Sequence, residues 1–342
     1  MIFPPNPLQR FLDHQGVLVL DGGFATELER GGAVLDSPLW SAKLISDDPG
    51  AIAEVHRAFL EAGADCIATA TYQASFEGFA NMGVGPSEAE RLILESVALA
   101  AGSVYEFWAI DENRVDRLRP LVAASLGPYG AFLADGSEYD GRYGVGRDVL
   151  ERFHRDRLRV MASSVADLIA FETIPSFAEV EVILGILHDT PGVWAWLSFS
   201  CQDGKHLNDG TPIRDAVAAC AKADRIAAVG VNCTPPRFMP ELISEIRAET
   251  NLPVAIYPNS GEMYDAVSKT WISGSPGAEV VGAGIGDGKP GGNDGRQALG
   301  TGDGWGEAAA EWVEVGASLV GGCCRVTASD ISNVRRRVVS LV

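Results

Sequence analysis

Eight short apolar runs, separated by helical patterns, constrain the fold of this chain more than any other feature. They are VLVLD (17–21), CIATA (66–70), LVAAS (121–125), LIAFE (168–172), WAWLSF (194–199), AAVGVN (227–232), VAIYP (254–258) and SLVGG (318–322). Each run is continuous rather than alternating in polarity, which is how a strand covered on both faces reads. Between them lie PSEAERLILESVALAAGSVYEF, RDVLERFHRDRLRVMASSVA, SFAEVEVILGILHD, PELISEIRAET and EAAAEWVEVGA, with apolar positions at helical spacing. The third of these opens with Ser176 followed by Glu179, a capping signal.

Alternating strands and helices imply an α/β fold with a parallel sheet. Eight strands suggest closure into a (β/α)8 TIM barrel; an open doubly wound sheet is the structural alternative. The 342 residues suit one barrel domain over 1–342, although length alone would also admit two smaller domains. Residues 273–304 break the pattern with dense Gly, Ser, Pro and Asp, and read as a flexible insert between strands seven and eight. GAGIGDG within it loosely resembles a nucleotide-binding loop, but no apolar strand leads into it and no helix opens from it.

The formal charge is −19, from 46 acids against 27 bases. That argues against nucleic-acid and anionic membrane partners. It would steer a cationic substrate, although an acidic surface alone explains it equally well. No run of eighteen apolar residues marks a membrane span, and the N-terminal segment lacks a secretory pattern. The six cysteines do not form the framework of a small secreted domain, so a cytoplasmic location with reduced thiols is expected.

In such a barrel the site lies at the C-terminal strand ends, and the polar residues gather there. Strand one ends in Asp21, Gly22 and Gly23, strand four in Glu172, strand six in Asn232 and Cys233, and strand eight in Gly321, Gly322, Cys323 and Cys324. Adjacent cysteines have three readings: a vicinal disulfide, two core residues, or two ligands of one metal. Only one strand separates the sixth from the eighth, so their mouths stand about 10 Å apart and Cys233 can join the pair. Three thiolates with an open fourth position would make a catalytic zinc site. Successive strand residues point to opposite faces, so the chain must bend, and Gly321 and Gly322 are expected to permit unusual backbone angles. Cys66, Cys201 and Cys220 read as small buried residues.

DGGFATELERGG, TATYQAS, GPYGAFLADGSEY, FETIPSFAEVE, VGVNC, YPNSGEMYDAVSKTW and GGCCRVTASDI occur in this order between residue 6 and about residue 335. Together they resemble the homocysteine S-methyltransferase family, nearest its S-methylmethionine-dependent enzymes. The pairing of VNC with GGCC is the most specific element, and the Gly-rich insert is the departure. The resemblance implies a (β/α)8 barrel, a Zn2+ ion on Cys233, Cys323 and Cys324, and homocysteine as acceptor with its thiol as fourth ligand. It further suggests Asp21 and Glu172 for the acceptor ammonium. The Gly22 and Gly23 N–H groups and the Thr69 hydroxyl suit its carboxylate. Asn232 would orient substrate or fix its loop. Asp21 and Glu172 could instead cap helices or pair with a base.

A metal-coordinated thiol loses its proton outright, so no general base is needed. None of the five histidines stands at a strand end, and His206 comes nearest. Trp40, Gln73, Glu138, Tyr139 and Asn259 are the candidates for the donor side, where carboxylates and aromatic faces would favour a sulfonium. S-methylmethionine is the expected donor and S-adenosylmethionine a second. Betaine is the rival, although Gln73 stands where that branch would place a tyrosine. A methyltetrahydrofolate route would need further domains. A zinc-storing or thiol-sensing protein without turnover is the non-enzymatic alternative. The oligomeric state is not legible.

Overall fold

All eight apolar runs form strands: β1 (Leu18–Val19), β2 (Cys66–Ala68), β3 (Leu121–Leu126), β4 (Leu168–Ile174), β5 (Ala195–Phe199), β6 (Ile226–Asn232), β7 (Val254–Tyr257) and β8 (Leu319–Val320). The structure is a computed structural model describing residues 5–33, 35, 40–261, 263–265, 270–272 and 303–340. The strands are parallel and ordered β1-β8-β7-β6-β5-β4-β3-β2. A parallel bridge between Leu20 and Cys66 joins the two ends of that order and closes the barrel.

The runs are continuously apolar because alternate residues enter two different cores. Leu18, Leu121, Ala123, Leu168, Ala170, Ala228, Ala255 and Leu319 point into the barrel. Val19, Val122, Ala124, Ile169, Leu197, Val229 and Ile256 point out to the helices. Small inward residues leave room for Trp196 and Tyr257, which meet edge to face inside the barrel. Helix Gln9–Gln15 brings Phe11 to the same inner core, with Leu8 just before it.

Helix Pro86–Ala109 has the length and apolarity to cross a membrane. Here it is part of the outer ring, with Leu92, Ile93, Val97, Val104 and Phe107 buried. Burying each such side chain contributes about 1.5–3 kcal/mol. The other expected helices form over Arg147–Ala162, Phe177–His188, Met239–Glu249 and Asp303–Glu314.

One local expectation fails. Ser176 precedes its helix but makes no side-chain cap. Its expected partner Glu179 is drawn elsewhere, accepting from the Tyr129 N–H at 2.7 Å and the Tyr143 hydroxyl at 3.0 Å and meeting His154 at 2.6 Å. A full capping box forms instead between Thr327 and Asp330. The Gly-rich insert at 273–304 lies outside the described residues except for its last two, which open helix Asp303–Glu314. Ahead of it, Met263–Asp265 pairs antiparallel with Thr270–Ile272, a hairpin with no equivalent among the apolar runs.

Candidate metal centre and substrate chamber

The Cys233, Cys323 and Cys324 sulfurs all lie within 4.8 Å of one another. Cys233 Sγ is 3.5 Å from Cys324 Sγ, and Cys323 Sγ is 4.0 Å from Cys324 Sγ. Tetrahedral zinc with Zn–S near 2.3 Å would set its sulfurs about 3.8 Å apart, so the donor set fits one such ion. The three thiols share a first ionisation. The neighbouring Cys323 and Cys324 thiols pull the Cys233 thiol well down, and Cys233 pushes the other two up. Cys66, Cys201 and Cys220 are buried away from this centre and their thiols are pushed up by burial, Cys220 to about 12.

The bend that gathers the sulfurs does not come from unusual angles at Gly321 and Gly322, because neither has positive φ. Cys233 (φ 48°) and Arg325 (φ 68°) take the left-handed angles instead. Gly321 and Gly322 serve close approach. A Cβ on Gly321 would sit 2.6 Å from the Leu20 Cβ, and one on Gly322 would sit 2.2 Å from Val326 Cγ1. Gly22 and Gly23 press from the other side: a Cβ on Gly23 would lie 2.7 Å from the Cys323 carbonyl oxygen. The β1 and β8 ends are thus joined backbone to backbone, with the Gly322 N–H donating to the Asp21 carbonyl at 3.0 Å. The β7 end holds the same loop. The Cys323 N–H donates to the Pro258 carbonyl and the Ser260 N–H to the Cys324 carbonyl.

Two carboxyls face this centre. Asp21 accepts from the Ala68 N–H at 2.7 Å, yet burial pushes its pKa up to about 8, with the Glu172 charge adding to the shift. Glu172 is pushed up to about 7 by burial, although Ser125 and Tyr257 donate to it. Among the described residues no ion pair joins a base to either. Two close acids without a cation form a site that favours an incoming ammonium.

The remaining candidates divide. Gly23 donates its N–H to the Val326 carbonyl at 2.8 Å, whereas the Gly22 N–H has no acceptor among the described residues. Thr71 donates to the Ser125 carbonyl at 2.7 Å, so Thr69 must donate to Thr71 across 2.6 Å. Thr69 Oγ1 also accepts from the Ser125 N–H, which leaves its hydroxyl no free proton for a ligand carboxylate. Asn232 is 1 % exposed and clamps Thr173. Asn259 donates to the Cys233 carbonyl at 3.3 Å and accepts from the Gly261 N–H, so it shapes the loop. Gln73 reaches the Ala131 carbonyl at 3.3 Å, outside the sulfur cluster. Tyr139 places its hydroxyl 3.5 Å from Cys233 Sγ. Glu138 keeps one carboxylate oxygen buried without a partner among the described residues, and its pKa is pushed up to about 7 by burial first, with Cys233 adding. Trp40 opens helix Trp40–Asp47, and its side chain lies outside the described residues. His206 pairs with Asp203 at 3.0 Å in the loop after β5.

Sequence reasoning assigned no role to several residues that build the chamber. Tyr72 lies close enough to feel the charges of Glu138, Cys233 and Cys323 and the Thr173 side chain. Arg157, 1 % exposed, donates to the carbonyls of Ala74 (2.8 Å), Gly127 (2.7 Å) and Tyr72 (2.8 Å). One guanidinium thereby fixes the loops after β2 and β3, and burial brings its pKa down to about 10. Tyr72 could have been found from its place inside TATYQAS. Arg157 sits in an ordinary amphipathic helix and gives no local signal.

A family model described as homocysteine S-methyltransferase matches residues 18–338. Homocysteine S-methyltransferase YbgG of Bacillus subtilis is 45 % identical over 329 residues, covering 96 % of each chain. The homocysteine S-methyltransferase of Escherichia coli is 41 % identical, covering 97 % of this chain and 98 % of its own. Among solved structures, the metallated form of the homocysteine methyltransferase MmuM from Escherichia coli superposes with a TM-score of 0.81 at 37 % identity, covering 97 % of this chain and all of that one.

Proposed function

The chain belongs to the homocysteine S-methyltransferase family, and from that premise we propose that it moves a methyl group from S-methylmethionine to the thiol of homocysteine, with Zn2+ held by Cys233, Cys323 and Cys324. The observation that carries this reading is the convergence of three sulfurs from β6 and β8 beside two buried carboxyls that no base neutralises among the described residues. Bound there, zinc would act as a Lewis acid that lowers the pKa of the acceptor thiol, so that its proton passes to water and the thiolate is left as nucleophile.

The chain's own groups do the rest. Asp21 and Glu172 hold the acceptor ammonium, whose charge offsets their burial and keeps both ionised. The Gly22 N–H takes the acceptor carboxylate, and Gly23 and Thr69 act by fixing the strand ends. Glu138, with its unpartnered oxygen, and the Tyr72 and Tyr139 rings form the donor side. A sulfonium there loses its positive charge as the methyl leaves, so the anionic wall holds the donor more firmly than the neutral thioether product. Catalysis then consists of keeping acceptor sulfur, methyl carbon and leaving sulfur in line.

S-adenosylmethionine fits the same charge pattern as a second donor. Betaine fits less well because Gln73 offers no aromatic face. A zinc-storing or thiol-sensing role leaves Asp21 and Glu172 without purpose. The cytoplasm, where thiols stay reduced, suits the site. Zinc-loaded protein supplied with homocysteine and each donor in turn tests the reading. S-methylmethionine should give the fastest turnover and two methionines per cycle. Methionine from no donor would overturn the enzymatic reading, and a preference for betaine would overturn the donor assignment.

A further inference from the structure

We propose that Asn232 is a positioning residue, not a substrate contact, and that it registers the acceptor-binding strand against the sulfur cluster by locking Thr173. The proposal rests on the acceptor-site reading above. A left-handed residue stands next to last in β4, Thr173 at φ 63°, and another directly follows β6, Cys233 at φ 48°. A β-branched residue there is an outlier that persists only where its surroundings impose it. Asn232 imposes it. Its Oδ1 accepts from the Thr173 N–H at 2.7 Å, and its Nδ2 donates to Thr173 Oγ1 at 2.8 Å. One amide thus closes a two-bond ring around one residue, across two strand positions in the sheet order.

The same amide nitrogen is 3.9 Å from Cys323 Sγ. Asn232 also directly precedes Cys233 and is buried. On the other side of the clamp, Thr173 directly follows Glu172, and the β4–β5 register shifts between Phe171 and Ile174. The Thr173 carbonyl accepts from Ser200, whose hydroxyl also reaches the Glu138 carbonyl. The clamp therefore lies between the carboxylate that meets the acceptor ammonium and the sulfurs that meet its thiol. With both amide ends committed to Thr173, Asn232 has little left to offer a ligand.

Two substitutions separate this role from general support of the fold. Thr173→Gly keeps the left-handed angle without steric cost but removes the hydroxyl that accepts from Asn232. Thr173→Ser keeps the hydroxyl. Titration of homocysteine into zinc-loaded protein without donor should give a dissociation constant about tenfold weaker for Thr173→Gly, the order expected for one lost buried hydrogen bond. Thr173→Ser should stay within about twofold of wild type. Zinc content should be equal in all three proteins. Unchanged homocysteine affinity in Thr173→Gly, with wild type binding normally, would overturn the clamp. Absence of homocysteine binding in wild type would instead strike the acceptor-site reading, and the clamp with it.

Discussion

Buried carboxylates occur at both ends of the barrel, and they are treated in opposite ways. Asp65, at the N-terminal end, is fully buried, and its Oδ2 accepts from Gln15 at 2.6 Å, from the Val19 N–H at 3.0 Å and from Arg335 at 2.6 Å. Arg117 stands 4.0 Å from its other oxygen. Burial still raises its pKa, but two guanidiniums oppose the shift. Asp21 and Glu172, at the C-terminal end, pair with no cation among the described residues, and the Glu172 charge adds to the rise at Asp21. The contrast teaches what each end is for. The floor uses charge to tie helix Ala328–Val339 to the closing strands. The mouth leaves charge uncompensated, a state that a bound cation completes.

Substitutions at the two ends should therefore separate activity from stability. Cys324→Ser is expected to have the largest effect, with loss of bound metal and a fall in methionine formation of more than about a hundredfold, beyond what second-sphere changes cause. Metal analysis and turnover on the same sample check it; retained metal with normal turnover would break the account of the mouth. Asp65→Ala should lower stability by about 3 kcal/mol, because it strands Arg335 and Arg117. Denaturant unfolding measures this, and the surviving folded protein should retain near-normal KM for homocysteine.

Glu172→Gln should behave in the opposite sense. Its kcat/KM for homocysteine should fall by about tenfold or more, the loss of a charge-assisted bond to the ammonium. Unfolding stability near pH 8 should hold or rise. The pH dependence sharpens the point. Asp21 binds its proton up to about pH 8 when folded, far above its ordinary value of 3.8, so the folded state carries more protons than the unfolded state between those limits. Stability contributed by the protonated form is lost as pH rises. The melting-temperature difference between Asp21→Asn and wild type should therefore grow in the variant's favour from about pH 5 to pH 8. A difference independent of pH would contradict the uncompensated mouth.

The smallest effects concern helix starts. Thr327→Ala removes a formed capping box beside the β8 loop and should cost about 1 kcal/mol. Ser176→Ala removes no cap and should change stability by less than about 0.5 kcal/mol.

The barrel was legible because burial on two faces writes itself as continuous apolar runs, and all eight runs became strands. The sulfur cluster was legible because one intervening strand sets how far β6 stands from β8. Legibility ended where side chains choose among several partners. Ser176 and Glu179 carry a capping pattern, but the buried surroundings of Tyr129, Tyr143 and His154 claim the carboxylate. Gly321 and Gly322 suggested backbone freedom, and their role is clearance for Leu20 and Val326. Asn232 reads in sequence as orienting substrate or fixing its loop, and its partner Thr173 is 59 positions away. Arg157 collects carbonyls from loops more than 80 positions back, which no local pattern encodes.

Zinc-edge X-ray absorption of the metal-loaded protein, recorded with and without homocysteine, counts the sulfurs around the metal. Three sulfur neighbours at the metal without homocysteine, and four with it, are the expected result. Fewer than three sulfurs in the resting protein, or a sulfur count that homocysteine leaves unchanged, would contradict it.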